Sequence, residues 1–363
     1  MSEITRRIRV YGIVQGVGFR PTVSRHATSN GIRGNVCNKG PYVEIYAQGS
    51  ADQVDGFLKD LEERPPKRAA ILKINTEDIS AEDAPQFDAF DIIESEKTKG
   101  EIFVSPDIAI CDECKEEMYN PKDRRYLHPF INCTCCGPRL TILDSLPYDR
   151  ERTSMKEFPM CPDCAEEYDD PKTRRYDAQP VCCNACGPEV YLIGRGERGR
   201  DAITYTRKVI HDGGIVAIKG IGGFHLCCDA TNEETVSRLR MLKHRPAKPF
   251  AVMAKDETVV KRECIVTPEQ EAILTGHQKP ILLLDRRSKE HRKESQPQSE
   301  NISETRLAPS VAPGNPKVGV MLPYAPVQLL IFQYDDGIEM PDLLVMTSGN
   351  TSGAPICRDD EEA

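Results

Sequence analysis

Apolar and polar positions in the first quarter of the chain alternate in blocks that predict a small α+β domain. Strand-like alternation and helix-like spacing follow one another between glycine- and proline-containing turns. The predicted elements are a strand at 7–13, a helix running to about Asn30, strands at 34–38 and 42–47, a helix at 51–64, and strands near 69–76 and 86–93. This βαββαβ order predicts a ferredoxin-like sandwich over residues 1–95.

The rest of the chain divides into a cysteine-rich region and a second region of strands and helices. The elements predicted in the second region are a strand at 214–219, a helix at 233–243 and a strand at 343–346. The run at 286–308 contains almost no apolar residue, so it predicts an inserted loop and not a core element. The chain is therefore expected to be an α+β multidomain protein.

Composition and charge exclude some classes of protein. A chain of 363 residues is long enough for two or three domains. No long apolar run is present and no apolar leader opens the chain, so we expect no membrane partner and a cytoplasmic location. The net charge of −9 argues against a general nucleic-acid binder. The basic pairs Arg124–Arg125 and Arg174–Arg175 are candidate anion sites, but we favour their interpretation as a solvated surface of the cysteine-rich region.

Four Cys-x-x-Cys pairs form two units that repeat at an offset of 50 residues. Each pair presents two thiolates to one metal, and two pairs complete a tetrahedral site. A metal is favoured over disulfides in a reducing cytoplasm, with an iron–sulfur cluster as a lesser alternative. The predicted ligands of two structural Zn²⁺ ions are Cys111, Cys114, Cys133 and Cys136, and Cys161, Cys164, Cys183 and Cys186. Loop closure separates sequential from interleaved pairing only weakly, and the repeat favours sequential sites.

A candidate anion site follows the first strand. Gly16 and Gly18 precede the first helix, and Arg20 stands at its start. Backbone N–H groups at such a turn attract an anion together with the helix dipole, and a guanidinium offers phosphate a planar fork. A Gly-x-Gly sequence alone is weak evidence, because it more often marks only a tight turn. Arg20 and the strand pair around residues 38–41 favour the anion site.

A second candidate site lies in the last region. Lys243 and Arg245 follow a predicted helix, and their charges suit phosphates. Ser348 and Asn350 follow a buried strand, where small polar groups can meet a nucleotide or a carboxylate. A solvated helix end and an ordinary Ser/Gly turn would give the same residue types, so both interpretations stay open at this point.

Motifs at both ends of the chain resemble known families. Residues 12–20 and 34–38 resemble the acylphosphatases, which implies that Arg20 binds an acyl phosphate and Asn38 orients the attacking water. The chemistry is coherent, because phosphoryl transfer depends mainly on positioning and charge neutralisation. A non-catalytic module of the same fold is the alternative.

Lys243-x-Arg245 and Ser348-x-Asn350 resemble the paired motifs of the YrdC-like family, which makes carbamoyl- or threonylcarbamoyl-adenylates from ATP. With the repeated cysteine units between the two ends, the whole chain resembles the HypF family of hydrogenase maturation proteins. The resemblance divides the chain into an acylphosphatase-like domain at 1–95, a tandem C4 zinc-finger region at 105–195 and a YrdC-like α/β domain at 200–363.

The HypF resemblance also implies a reaction sequence. The first domain would hydrolyse carbamoyl phosphate, and the YrdC-like domain would condense the carbamate with ATP, with Mg²⁺ neutralising the phosphates. A further domain would pass the carbamoyl group to the C-terminal cysteine of a HypE-type maturation protein. That domain carries a His-rich metal site in the family, and the seven histidines here form no such cluster. The chain is therefore expected to be a fragment that lacks the transfer step and is incomplete at the C-terminus of its YrdC-like domain.

Two other functions remain open at this stage. A threonylcarbamoyl-adenylate synthase for tRNA modification shares the YrdC-like motifs, but the acylphosphatase-like and zinc units do not belong to that family. A zinc-dependent protein-binding module with degenerate enzyme domains would keep the fingers and lose catalysis. Exchange of pyrophosphate into ATP that depends on carbamoyl phosphate separates the enzyme from the binding module.

Overall fold

The structure is a computed structural model that describes residues 3–93, 105–146, 148–287, 305–351 and 353–363. The described residues fall into two compact units. The first comprises residues 1–125 and 131–188, and the second comprises residues 126–130 and 189–363. Most of the polar run, residues 288–304, lies outside the described residues, as does Ser352 beside the second candidate site.

A five-stranded sheet with two helices opens the first unit. Its elements are β1 (Glu3–Ile13), α1 (Phe19–Ser29), β2 (Arg33–Asn38), β3 (Val43–Ser50), α2 (Ala51–Glu63), β4 (Ala70–Ile79) and β5 (Phe90–Ile92). The strand order is β4-β1-β3-β2-β5, with β2 and β5 parallel and the other pairs antiparallel. This is the predicted ferredoxin-like arrangement.

Alternation along the strands builds the core of this sheet. Ile8 and Val10 of β1 are fully buried, as are Val43 and Ile45, which β1 pairs with on β3. The helix α2 begins with a capping box in which Ser50 and Gln53 exchange side-chain and backbone hydrogen bonds. Its buried positions recur at helical spacing and pack on the sheet, and they are Val54, Phe57 and Leu61.

The cysteine-rich part of the first unit contains little regular structure. Two short helices, α3 (Asp112–Tyr119) and α4 (Pro162–Asp169), follow the first cysteine of each unit, and three 3₁₀ turns lie at Leu140–Ile142, Arg150–Arg152 and Ser154–Glu157. One apolar cluster in this region has Cys164, Ala178, Val181 and Cys183 as its buried members. Two of them, Cys164 and Cys183, are predicted zinc ligands, so metal ligation and apolar packing coincide in this cluster.

A seven-stranded sheet forms the second unit, in the order β6-β7-β12-β8-β11-β10-β9. Its strands are β6 (Val216–Gly220), β7 (Gly223–Asp229), β8 (Ala251–Ala254), β9 (Cys264–Ile265), β10 (Leu282–Arg286), β11 (Lys317–Met321) and β12 (Leu343–Ser348). Its helices are α5 (Gly199–His211), α6 (Glu233–Leu242), α7 (Glu257–Glu263), α8 (Pro268–Thr275) and α9 (Pro326–Phe332). The predicted α+β multidomain class is confirmed.

Both faces of the second sheet are covered. On β12, Leu343 and Val345 belong to one buried cluster, whereas Leu344 and Met346 belong to another. Because successive side chains of a strand point to opposite faces, the two clusters lie on opposite sides of the sheet. Among the described residues, no helix combines the length and the apolar character needed to cross a membrane.

Candidate functional site

The turn between β1 and α1 forms an anion cradle. Gly16 and Gly18 adopt left-handed φ angles of 69° and 73°, a conformation that glycine takes without strain. Gly18 is the N-cap of α1 and has no side chain that could cap the helix. The cradle therefore presents first-turn amides and the positive end of the helix dipole to a pocket.

Arg20 reaches this pocket from the first turn of α1, and it is already engaged by two carboxylates. Its Nε lies 3.0 Å from Asp177 Oδ2, its Nη2 donates to Asp177 Oδ1 at 3.3 Å, and its Nη1 donates to Asp149 Oδ1 at 3.3 Å. Burial disfavours the charged guanidinium, but the carboxylates of Asp177 and Asp149 outweigh it and raise the pKa of Arg20. Arg20 therefore stays charged, and its N–H donors point at the carboxylates of Asp149 and Asp177.

Asn38, at the end of β2, lines the same pocket. It is 2% exposed, and no described residue offers a hydrogen bond to its Oδ1 atom. The strand end beside it is fixed because Gln15 Nε2 donates to the Gly40 carbonyl at 2.7 Å. A buried acceptor with no protein partner is costly unless a ligand or water satisfies it. Its position suits a water that approaches an anion held by Arg20.

The cysteine-rich region supplies the far wall of the pocket. Arg139, 2% exposed, donates to the carbonyls of Gly16, Cys133 and Thr134. A Cβ atom at Gly16 would lie 3.0 Å from Arg139 Cδ, and one at Gly18 would lie 3.2 Å from Thr134 Cβ. Side chains at these two glycines would therefore push the wall away from the cradle.

The eight predicted zinc ligands lie in two clusters. The sulfurs of Cys111, Cys114, Cys133 and Cys136 all lie within 4.8 Å of one another, and so do those of Cys161, Cys164, Cys183 and Cys186. Several S···S distances are 3.6–3.7 Å, close to the roughly 3.8 Å edge of a tetrahedron with Zn–S bonds of about 2.3 Å. Four thiolates in sequential pairing suit a structural zinc in each cluster.

Each cysteine cluster accepts hydrogen bonds from an arginine that belongs to the other repeat. Arg124 Nη2 donates to Cys164 Sγ at 3.2 Å and to Glu167 at 2.8 Å. Arg174 Nη2 makes the matching bonds to Cys114 Sγ at 3.5 Å and to Glu117 at 2.7 Å. Their neighbours Arg125 and Arg175 are buried, and they ion-pair with the same two glutamates.

The interpretation of these basic pairs as a solvated surface was wrong. The repeat brings each pair onto the thiolates of the other unit. The charge of a four-thiolate metal site explains why cations are buried there. Burial raises the pKa of Glu117 and of Glu167, but the arginines outweigh it and leave both values below normal.

In the second unit, the predicted nucleotide-binding residues come together. Lys243, the C-cap of α6, donates through Nζ to the carbonyls of Ser348 at 2.7 Å and Asn350 at 3.0 Å. Arg245 Nη1 donates to Thr347 Oγ1 at 3.3 Å, and Ser348 Oγ donates to Asn350 Oδ1 at 2.5 Å. Burial, with the charge of Arg245, lowers the pKa of Lys243. Two neighbouring cations at a polar strand end form a site suited to an anionic ligand.

Family profiles match three parts of the chain. Residues 6–92 match the acylphosphatases, residues 110–143 and 160–193 match the HypF finger, and residues 208–363 match the Sua5/YciO/YrdC family, described as "Telomere recombination". Carbamoyltransferase HypF2 of Cupriavidus necator is 44% identical over 372 aligned residues, which cover 98% of this chain and 44% of that protein. The chain belongs to the HypF family. The expected resemblance is confirmed.

Solved structures agree with the family. A crystal structure of full-length HypF in the phosphate- and nucleotide-bound form matches with a TM-score of 0.89 and 42% identity, covering 99% of this chain and 45% of that one. An acylphosphatase of Caldivirga maquilingensis is 42% identical over 78 residues, 81% of its length. The chain spans less than half the length of the HypF relatives it matches.

Sequence reasoning missed the finger residues that complete the cradle. Arg139, Asp149 and Asp177 are distant from Arg20 in sequence, and no spacing rule connects them to it. One signal was available for Asp177. It occupies the repeat position of Leu127, and both residues have left-handed φ angles, 56° and 54°. At this position the repeat keeps the backbone conformation, whereas the side chain changes from apolar to a carboxylate.

Proposed function

We propose that this chain carries the first two reactions of carbamoyl transfer in [NiFe]-hydrogenase maturation. The first is hydrolysis of carbamoyl phosphate at the anion cradle, and the second is formation of carbamoyl-adenylate from carbamate and ATP in the YrdC-like unit. HypF relatives named as carbamoyltransferases support this proposal. The observation that carries it is the pairing of charged Arg20 with the unpartnered Oδ1 of Asn38 in one pocket.

The cradle supplies what the first reaction needs. The phosphoryl group of carbamoyl phosphate would bind the amides of the Gly16–Gly18 turn and the guanidinium of Arg20. Asn38 Oδ1 would accept a hydrogen bond from the attacking water and aim its oxygen at phosphorus. An O–P bond forms as the P–O bond to the carbamoyl group breaks, so carbamate leaves with that oxygen and inorganic phosphate remains in the cradle.

The second reaction would use the cation pair on the other sheet. Lys243 and Arg245 would bind ATP phosphates, and Ser348 and Asn350 would position the carbamate or nucleotide. Mg²⁺ bound with ATP would neutralise phosphate charge. One carbamate oxygen attacks the α-phosphorus, and pyrophosphate leaves. The two zinc ions would hold the finger wall and take no part in bond making, since four thiolates leave no open position.

We also propose where the product goes. The carbamoyl group would pass to the C-terminal cysteine of a HypE-type maturation protein in the cytoplasm, where reduced cysteines can hold zinc. The HypF relatives do not favour the tRNA-modifying alternative. The binding-module alternative is not favoured either, because Arg20 and Asn38 are buried in one pocket and Lys243 is hydrogen-bonded to the backbone of Ser348 and Asn350.

Two variants test the proposal by separating the reactions. Arg20→Ala is expected to abolish phosphate release from carbamoyl phosphate, whereas Lys243→Ala is expected to spare that release and abolish carbamate-dependent pyrophosphate exchange into ATP. Arg25→Ala is a matched control on the exposed side of α1, where Arg25 contacts Thr22. Unchanged phosphate release by the Arg20 variant would remove the cradle from the reaction.

A further inference from the structure

The carboxylates of Asp149 and Asp177 hold the guanidinium that is proposed to bind substrate. Asp177 meets Arg20 Nε and Nη2 with its two oxygens at 3.0 and 3.3 Å, and Asp149 meets Nη1 at 3.3 Å. Two oxygens on the Nε–Nη2 edge of an arginine is the geometry that a phosphate takes. The finger region thus places a carboxylate where the phosphoryl oxygens are expected.

The negative charges of Asp149 and Asp177 would oppose the binding of an anion in the cradle. All three side chains are largely buried, with 9% of Arg20, 14% of Asp149 and 12% of Asp177 exposed. Like charges at a few ångströms repel strongly when little water separates them. A phosphoryl dianion entering the cradle would therefore meet two carboxylates that compete with it for one guanidinium. The donors of Arg139, the other cation lining the pocket, are bonded to backbone carbonyls.

Asp177 has other hydrogen-bond donors that would allow it to release Arg20. Its Oδ1 accepts hydrogen bonds from Tyr168 Oη at 3.3 Å and from Gln179 Nε2 at 2.9 Å. These donors come from the same finger and would keep the carboxylate satisfied after it releases the guanidinium. Burial raises the pKa of Asp177, only partly offset by Arg20, so proton uptake during anion entry is also made easier.

We propose that Asp149 and Asp177 are an internal competitor for the anion site of Arg20. They hold the guanidinium in its binding orientation while the cradle is empty, weaken the binding of the phosphoryl dianion, and thereby favour release of product phosphate. This inference rests on the proposed function, because it takes Arg20 as the anion ligand. It assigns to the second finger a role in setting substrate and product affinity, carried by Asp177, whose counterpart in the first repeat is the apolar Leu127.

The test measures binding of inorganic phosphate to the whole zinc-loaded chain by isothermal titration calorimetry. Asp177→Asn and Asp149→Asn keep side-chain shape and remove charge. Each is expected to bind phosphate about tenfold more tightly than the unmodified chain, because one repelling charge is gone. Asp144→Asn is the matched control, since this finger carboxylate pairs with Lys156 and not with Arg20. It is expected to leave phosphate affinity unchanged.

Two outcomes overturn the inference, and the Arg20→Ala variant separates it from the proposed function. Unchanged or weaker phosphate binding by Asp149→Asn and Asp177→Asn would mean that the carboxylates only position Arg20. If Asp177→Asn fails to retain two zinc ions per chain, Asp149→Asn decides alone. Arg20→Ala should lose phosphate binding. If Arg20→Ala still binds phosphate, the assignment of the cradle as the anion site fails. If Arg20→Ala loses phosphate binding but the two asparagine variants do not bind phosphate more tightly, only the internal competitor is refuted.

Discussion

Replacing Arg124 with methionine should weaken zinc binding in the finger to which Arg124 does not belong. The residue lies between the two cysteine pairs of the first unit, yet its guanidinium donates to Cys164 Sγ at 3.2 Å and to Glu167 at 2.8 Å in the second. Methionine keeps most of the length and removes every donor. The charge on the second cluster then loses one counter-cation.

The expected size follows from the contacts. A hydrogen bond to a charged group contributes about 1.5–3 kcal/mol, and Arg124 is 29% exposed. Because Arg125 remains paired with Glu167, we take the lower part of that range, about 1.5–2 kcal/mol. This corresponds to roughly a tenfold to thirtyfold loss of zinc affinity at the second site, within the range found for residues that support metal ligands.

The assay must report each site separately. Zinc is withdrawn with a graded chelator, free thiols are alkylated, and labelled peptides from 111–136 and 161–186 are quantified by mass spectrometry. Arg124→Met should release the second site first, and Arg174→Met should reverse the order. Arg152→Met, whose Nη1 donates to the Leu146 carbonyl, should change neither. Weakening of the first site alone by Arg124→Met would refute the reciprocal bracing.

Two further predictions concern packing. Gly18→Val should reduce phosphate affinity by at least about tenfold, because the left-handed φ and the contact with Thr134 leave no room for a branched side chain. Calorimetry with phosphate would check this, and unchanged phosphate affinity of the variant would contradict it. Phe57→Ala should lower the free energy of unfolding by about 3–5 kcal/mol, whereas Leu72→Ala, at an exposed position, should change it by less than about 0.5 kcal/mol. Urea denaturation measures both, and equal effects would contradict the assigned core.

Sequence pattern predicted the first sheet well because its elements are local and strongly marked. Alternation defines β1 and β3, and a capping box with helical spacing defines α2. Several other helices were not predicted, including α8, which also begins with a capping box, and some of them lack such signals. The N-cap of α5 is Arg198, which makes no side-chain cap bond, and α3 and α4 contain only eight residues each. Their positions depend on packing and on the cysteine clusters, which local propensity does not encode.

The candidate sites divide in the same way. Motifs selected Arg20, Asn38, Lys243 and the cysteines as candidates, since each lies in a short segment with a fixed spacing. The strand order that brings β12 beside β7 and β8, and thus Ser348 to Lys243, is non-local and was not predicted. The contact of Asp177 with Arg20 spans 157 residues. Only the fold brings this carboxylate to the cradle.

The most direct test of the central claim is pyrophosphate exchange into ATP by the purified zinc-loaded chain, with and without carbamoyl phosphate. We expect exchange to depend on carbamoyl phosphate, to persist in Arg25→Ala and to disappear in Arg20→Ala, because carbamate made at the cradle is the acceptor for adenylation. Absence of exchange in a folded chain that holds two zinc ions, or exchange that is unaffected by Arg20→Ala, would contradict the account.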